Sequence, residues 1–113
     1  MSLAAFTHEI SASFADDALV LAEDGRPPIV IAYRDHPQIF GHPRFFMARL
    51  EDSEAMVRKA LKDLMQGRVP LLAPKIAISF DRPIDGGVTE IDKKIIEGIF
   101  TNAGARKIIF RNA

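Results

Sequence analysis

The chain predicts an α/β domain built on a mixed sheet with element order βββαβαβ, and three observations carry that prediction. The first third holds short apolar, β-branched runs separated by turn signals. The middle and last thirds each hold one stretch with a helical apolar period. A strand–helix–strand succession then closes the chain. At 113 residues and 48% apolar content, the chain suits one domain with a core that needs no disulfide or metal staple.

Each element has its own local warrant. Glu9–Phe14 alternates loosely, and Ala18–Ala22 is a continuous apolar run; Ala15-Asp16-Asp17 between them reads as a tight turn. Asp24-Gly25 is a hairpin signal, because both residues tolerate positive φ. Pro27 and Pro28 then mark the start of a strand over Ile29–Tyr33, since neither can donate to a ladder. Together these runs predict a three-stranded antiparallel meander. Arg34–Pro43 is a connection with a short strand expected at Gln38–Gly41. Ser53 is the expected N-cap of a helix whose apolar face is Met56, Val57, Ala60, Leu61, Leu64 and Met65, with Gly67 as its stop. Lys75–Phe80 reads as a buried strand. Thr89, with Asp92 three residues on, opens a helix with Ile91, Ile95, Ile96, Ile99 and Phe100 on its apolar face. Gly104 ends that helix, and Lys107–Phe110 is the last strand. Strand, helix and strand in so short a span imply a right-handed crossover and parallel pairing. Residues 1–113 therefore form one domain, with residues 1–8 expected to be disordered or vector-derived.

Composition narrows function by exclusion. Without cysteine there is no disulfide, thiolate metal site or cysteine nucleophile, and the composition fits the cytoplasm. Fifteen basic residues balance fifteen acidic ones, so no net field attracts nucleic acid. No apolar run approaches the roughly 20 residues of a transmembrane helix, and Met1–Thr7 lacks the charged head and apolar block of a signal peptide.

Two stretches carry a resemblance. Gly87-Val88-Thr89-Glu90-Ile91-Asp92-Lys93-Lys94, followed by Asn102-Ala103-Gly104-Ala105-Arg106-Lys107-Ile108-Ile109-Phe110, resembles the MreB family of bacterial actin-like, rod shape-determining proteins. The family pattern there is G-x-T-x-x-E/D-[KR]-[KR], a helix, and A-G-A-R before an apolar strand. Phe40-Gly41-His42 and Ile29–Tyr33 resemble its segments around the third strand. The resemblance implies the first-domain portion of that family, with the ribonuclease H-like sheet that actin-like ATPases use. The departures bear on chemistry. Where the family has a D-x-G-T phosphate loop, this chain has Ser13-Phe14-Ala15-Asp16-Asp17, with no glycine and two negative charges. The insert before the Ser53 helix is largely absent, and the expected chain supplies one lobe of a two-lobed nucleotide cleft. The resemblance therefore implies fold and origin without ATPase activity and without a cofactor.

Candidate chemistry remains to be placed. Asp16, Asp17 and Asp81 lie near strand ends and are the carboxylates a two-metal hydrolase or nuclease on such a fold would use; Glu23, Asp24 and Asp85 lie in similar turns. As turn residues they equally bond their own backbone. His8, His36 and His42 show no metal-ligand spacing. Gly86-Gly87 before a helix could hold an anion, opposed by Asp85 and Glu90. Arg34, His36, His42, Arg44 and Arg49 surround Phe40, Phe45 and Phe46, a composition suited either to a small-ligand pocket and contact surface or to a loop whose rings enter the core. The expected function is a non-catalytic interaction module that self-associates or binds a filament or cell-shape protein. A small metal-dependent hydrolase or nuclease and a small-ligand-binding domain are the alternatives.

Overall fold

The computed structural model describes residues 9–40, 49–66, 73–81 and 87–111. Within them the chain forms a five-stranded mixed sheet and three helices: β1 (Glu9–Phe14), β2 (Ala18–Ala22), β3 (Ile29–Ala32), a 3₁₀ turn (Tyr33–Asp35), α1 (Pro37–Phe40), α2 (Leu50–Leu64), β4 (Lys75–Phe80), α3 (Glu90–Asn102) and β5 (Lys107–Phe110). The sheet order is β3-β2-β1-β4-β5. β1 pairs antiparallel with β2, and β2 with β3, which is the expected meander. β1–β4 and β4–β5 are parallel, and Ile76 lies opposite Ile108 as the strand–helix–strand reading requires.

Alternation along the strands sorts the sheet into two faces. On one face Ile10, Ala12 and Phe14 meet Leu19, Leu21 and Ile31 on one side and Ile76, Ile78 and Phe80 on the other. All three helices bury residues in this same cluster: Ile39 from α1, Val57, Leu61 and Leu64 from α2, and Ile96, Ile99 and Phe100 from α3. Phe14, Phe80 and Phe110 stack across β1, β4 and β5, with centroid separations of 5.4 and 6.3 Å and nearly parallel rings.

Three local readings need correction. Gln38–Phe40 is helical, not a strand: Pro37 supplies a φ suited to the first turn, Ile39 and Phe40 both donate to the carbonyl of His36 at 3.0 Å, and Ile39 is buried. Ser53 does not cap α2. The helix begins at Leu50 after Arg49 in a left-handed conformation (φ 57°), and Ser53, fully buried in the first turn, donates its N–H to Arg49 at 2.9 Å. Ile91 is 71% exposed, because α3 meets the core only from its second turn onward, through Ile95, Ile96, Ile99 and Phe100. At the start of α3 the expected capping box is present: Asp92 N–H donates to Thr89 Oγ1 at 3.1 Å, and Thr89 N–H donates to the Asp92 carboxylate at 3.0 Å. Gly67 and Pro70 lie outside the described residues.

Candidate functional site

The carboxylates come first. Phe14 and Phe80 end parallel strands side by side, and Asp81 N–H donates to the Phe14 carbonyl at 2.9 Å. Asp81 and the Ala15-Asp16-Asp17 turn thus share the carboxyl end of the sheet, as the sequence suggested. The turn itself is closed: Ala15 N–H donates to Ala18 at 2.9 Å, the Asp17 carbonyl accepts from Tyr33 N–H at 3.0 Å, and the Ala15 carbonyl accepts from the Tyr33 hydroxyl at 2.7 Å. Among the described residues, no group of three or more histidine, aspartate or glutamate side chains is placed to hold a metal ion. Asp16, Asp17 and Asp81 share an end of the sheet without forming a metal centre. Asp85 lies outside the described residues.

The connection after β3 packs its aromatic residues inward. Phe40 lies 4.6 Å from Tyr33, centroid to centroid, and His36 meets Phe40 edge-on at 6.5 Å. His36 borders a shallow groove of about 260 Å³ between β3 and α2, with Ile29, Ile31, Met56, Lys59 and Asp63. Lys59 and Asp63 are bound to each other at 3.0 Å, so the charges of the groove are already spent. Arg34 is exposed and borders a hollow on the other side of the sheet with Asp16, Asp17, Val30 and Ala32. Arg34 and His36 therefore serve different surfaces. His8, His42, Arg44, Phe45 and Phe46 lie outside the described residues.

Of the two glycines before α3, Gly87 is described, and an anion there would compete with a carboxylate the chain itself supplies. Gly87 has φ +74° and turns the chain into the helix, but the helix N-terminus already holds the Asp92 carboxylate. Gly86 lies outside the described residues.

The surface that residue-by-residue reading missed is the second face of the sheet. It carries Glu9, Ser11 and Ser13 from β1, Lys75, Ala77 and Ser79 from β4, Lys107 and Ile109 from β5, Val20 and Ala22 from β2, and Val30 and Ala32 from β3. Among the described residues no helix buries side chains against it. A hollow of about 410 Å³ on this face is bordered by Glu9, Ser11, Ala22, Asp24, Ala77 and Arg111. The signal was present in the sequence: Glu9-x-Ser11-x-Ser13 and Lys75-x-Ala77-x-Ser79 put small and polar residues on the alternate positions of the two innermost parallel strands. No known family model matches this chain, and no curated protein matches it.

Proposed function

We propose that this chain is a non-catalytic interaction module of ribonuclease H-like, actin-like architecture, related to the first domain of MreB and acting by associating with protein, its own copies included. The observation that carries the reading is the closed Ala15-Asp16-Asp17 turn. It stands at the carboxyl end of the first strand, where an actin-like ATPase would cradle phosphate. Here the Ala15 N–H is committed to Ala18 and two carboxylates face the approach of any polyphosphate. The sheet order β3-β2-β1-β4-β5, antiparallel through β2 and parallel through β4 and β5, supports the architecture, as does the Gly104-Ala105-Arg106 junction before β5. The placement of Asp16, Asp17 and Asp81 gives no support to a metal-dependent nuclease.

Calorimetric titration with ATP and magnesium, run beside light scattering on the same sample, tests the reading. The expected result is no saturable nucleotide binding, together with a mass that rises with protein concentration. Magnesium-dependent ATP hydrolysis by the purified chain would overturn it.

A further inference from the structure

We propose that the second face of the sheet is a dimerisation surface, on which two copies of this chain stack sheet to sheet about a two-fold axis parallel to the strands. The inference deepens the interaction-module reading and rests on it.

The polar atoms at the centre of this face already have partners. Ser79 donates to Ser13 at 3.1 Å across the parallel pair, and Ser11 donates to the Ala22 carbonyl at 3.4 Å. Arg111 reaches from β5 to Glu9 on β1 at 3.4 Å. Removing water from such a face leaves these hydroxyls and this ion pair satisfied, so the main penalty of drying a polar surface is reduced. Ala22, Ala77, Val20 and Ile109 fill the space between them, and Val30, 61% exposed, extends the apolar surface to the β3 edge. Small side chains on both copies allow two sheets to approach at or below their usual separation of about 10 Å.

The charges at the rim fix the partner and its orientation. Lys75 and Lys107 are direct neighbours in register at one end of β4 and β5, an arrangement of like charges that opposes sheet formation. Neither makes an ion pair among the described residues. Asp24 stands at the same end of the sheet on the β2 side and likewise has no ion partner among them. Turning a second copy about an axis parallel to β1 places β4 over the partner's β2 and β5 over its β3. Each Lys75–Lys107 pair then faces Asp24 of the other copy, twice by symmetry. An axis across the strands that lays Lys75 over Asp81 lays Asp24 over Ala18, so it leaves Asp24 without a cation. Five strands about 4.8 Å apart, rising about 3.3 Å per residue, present roughly 400 Å² of projected face per copy, or about 800 Å² for the pair before side-chain corrugation, below the threshold of about 1,000 Å² for a stable specific interface. The dimer is therefore weak and concentration-dependent.

Sedimentation velocity over a wide concentration range tests the surface. Ser11 is exposed, so Ser11→Arg leaves the fold intact by circular dichroism and raises the dimer dissociation constant at least about tenfold. Lys75→Glu and Asp24→Lys each weaken the dimer, and the two together in one chain restore it; raising the salt concentration weakens the wild-type dimer. A folded Ser11→Arg variant that dimerises like wild type would show another surface at work, as would failure of the charge swap to restore association. A wild-type chain that stays monomeric at every concentration would overturn the dimer and the self-association of the broader reading together, whereas a folded Ser11→Arg variant that still gains mass with concentration overturns this surface alone.

Discussion

Arg26 shows how one side chain ties distant parts of this chain together. It lies in the turn between β2 and β3, and its Nη1 donates to the carbonyl of Leu64, the last residue of α2, at 3.1 Å and to that of Gln66, two residues past the helix end, at 2.7 Å. The Leu64 carbonyl is one of the acceptors a helix end leaves without an internal partner, and a cation there also meets the negative end of the helix dipole. Glu23 lies 3.9 Å from Nε and holds the guanidinium in place. Arg26→Ala is expected to lower stability by about 1–3 kcal/mol, the range for hydrogen bonds to a charged group, read from the urea midpoint at unchanged slope. Arg26→Lys should recover only part of the loss, because lysine keeps the charge but has no planar guanidinium whose Nε faces Glu23 and holds the donor in place. Equal stability of the lysine and wild-type chains would show that charge alone accounts for the cap.

At the scale of elements, α3 and its exit give two predictions of opposite sign. Gly104 has φ +123°, and a β-carbon added there would meet nothing within 4 Å. Gly104→Ala is therefore a pure backbone effect, expected to destabilise by about 1–2 kcal/mol with no clash to relieve. Gly98 lies inside the helix with the same open space around it and no unusual φ. Gly98→Ala is expected to stabilise by about 0.5–1 kcal/mol. Thermal unfolding of the two variants checks both signs together. These elements were also the most legible in the sequence. Thr89 and Asp92 cap α3 as written, and the bounds of β1, β2, β4 and β5 follow from local pattern. The start of α2 was not legible, because Arg49 takes a left-handed conformation that nothing in its neighbours announces. α1 was hidden for a related reason: a four-residue helix has no period, and only the burial of Ile39 reveals what Pro37 begins. Of the candidate site residues, sequence placed Asp16 and Asp81 at one end of the sheet, but proximity in topology did not make a metal site. The bare face escaped notice because it is a property of two strands read together, after their register is known.

For the whole molecule, strand order sets the hierarchy of stability. β1 is the central strand and β4 its parallel neighbour; both are hydrogen-bonded on two sides, while β3 and β5 are edges. The core follows the same gradient, with Ile10, Ala12, Phe14, Ile76 and Ile78 fully buried and the residues of β5 only partly so. The parity of the β2–β3 ladder adds a finer distinction. Tyr33 donates to Asp17, so Ile29 and Ile31 bond toward β2, whereas Val30 and Ala32 turn their N–H groups off the sheet. Native-state hydrogen exchange is therefore expected to be slowest at Ile10, Ala12, Ile76 and Ile78, opening only with global unfolding, and fastest within the sheet at Val30 and Ala32. Dimerisation through the sheet face leaves this ranking in place, since stacking covers side chains without adding to the ladder. An association through the β3 edge would instead extend the ladder, and the amides of Val30 and Ala32 would become slower as protein concentration rises. Exchange at those two amides, followed across concentration, thus separates face-to-face stacking from edge-to-edge pairing, and protection that grows there with concentration would refute the face-to-face arrangement.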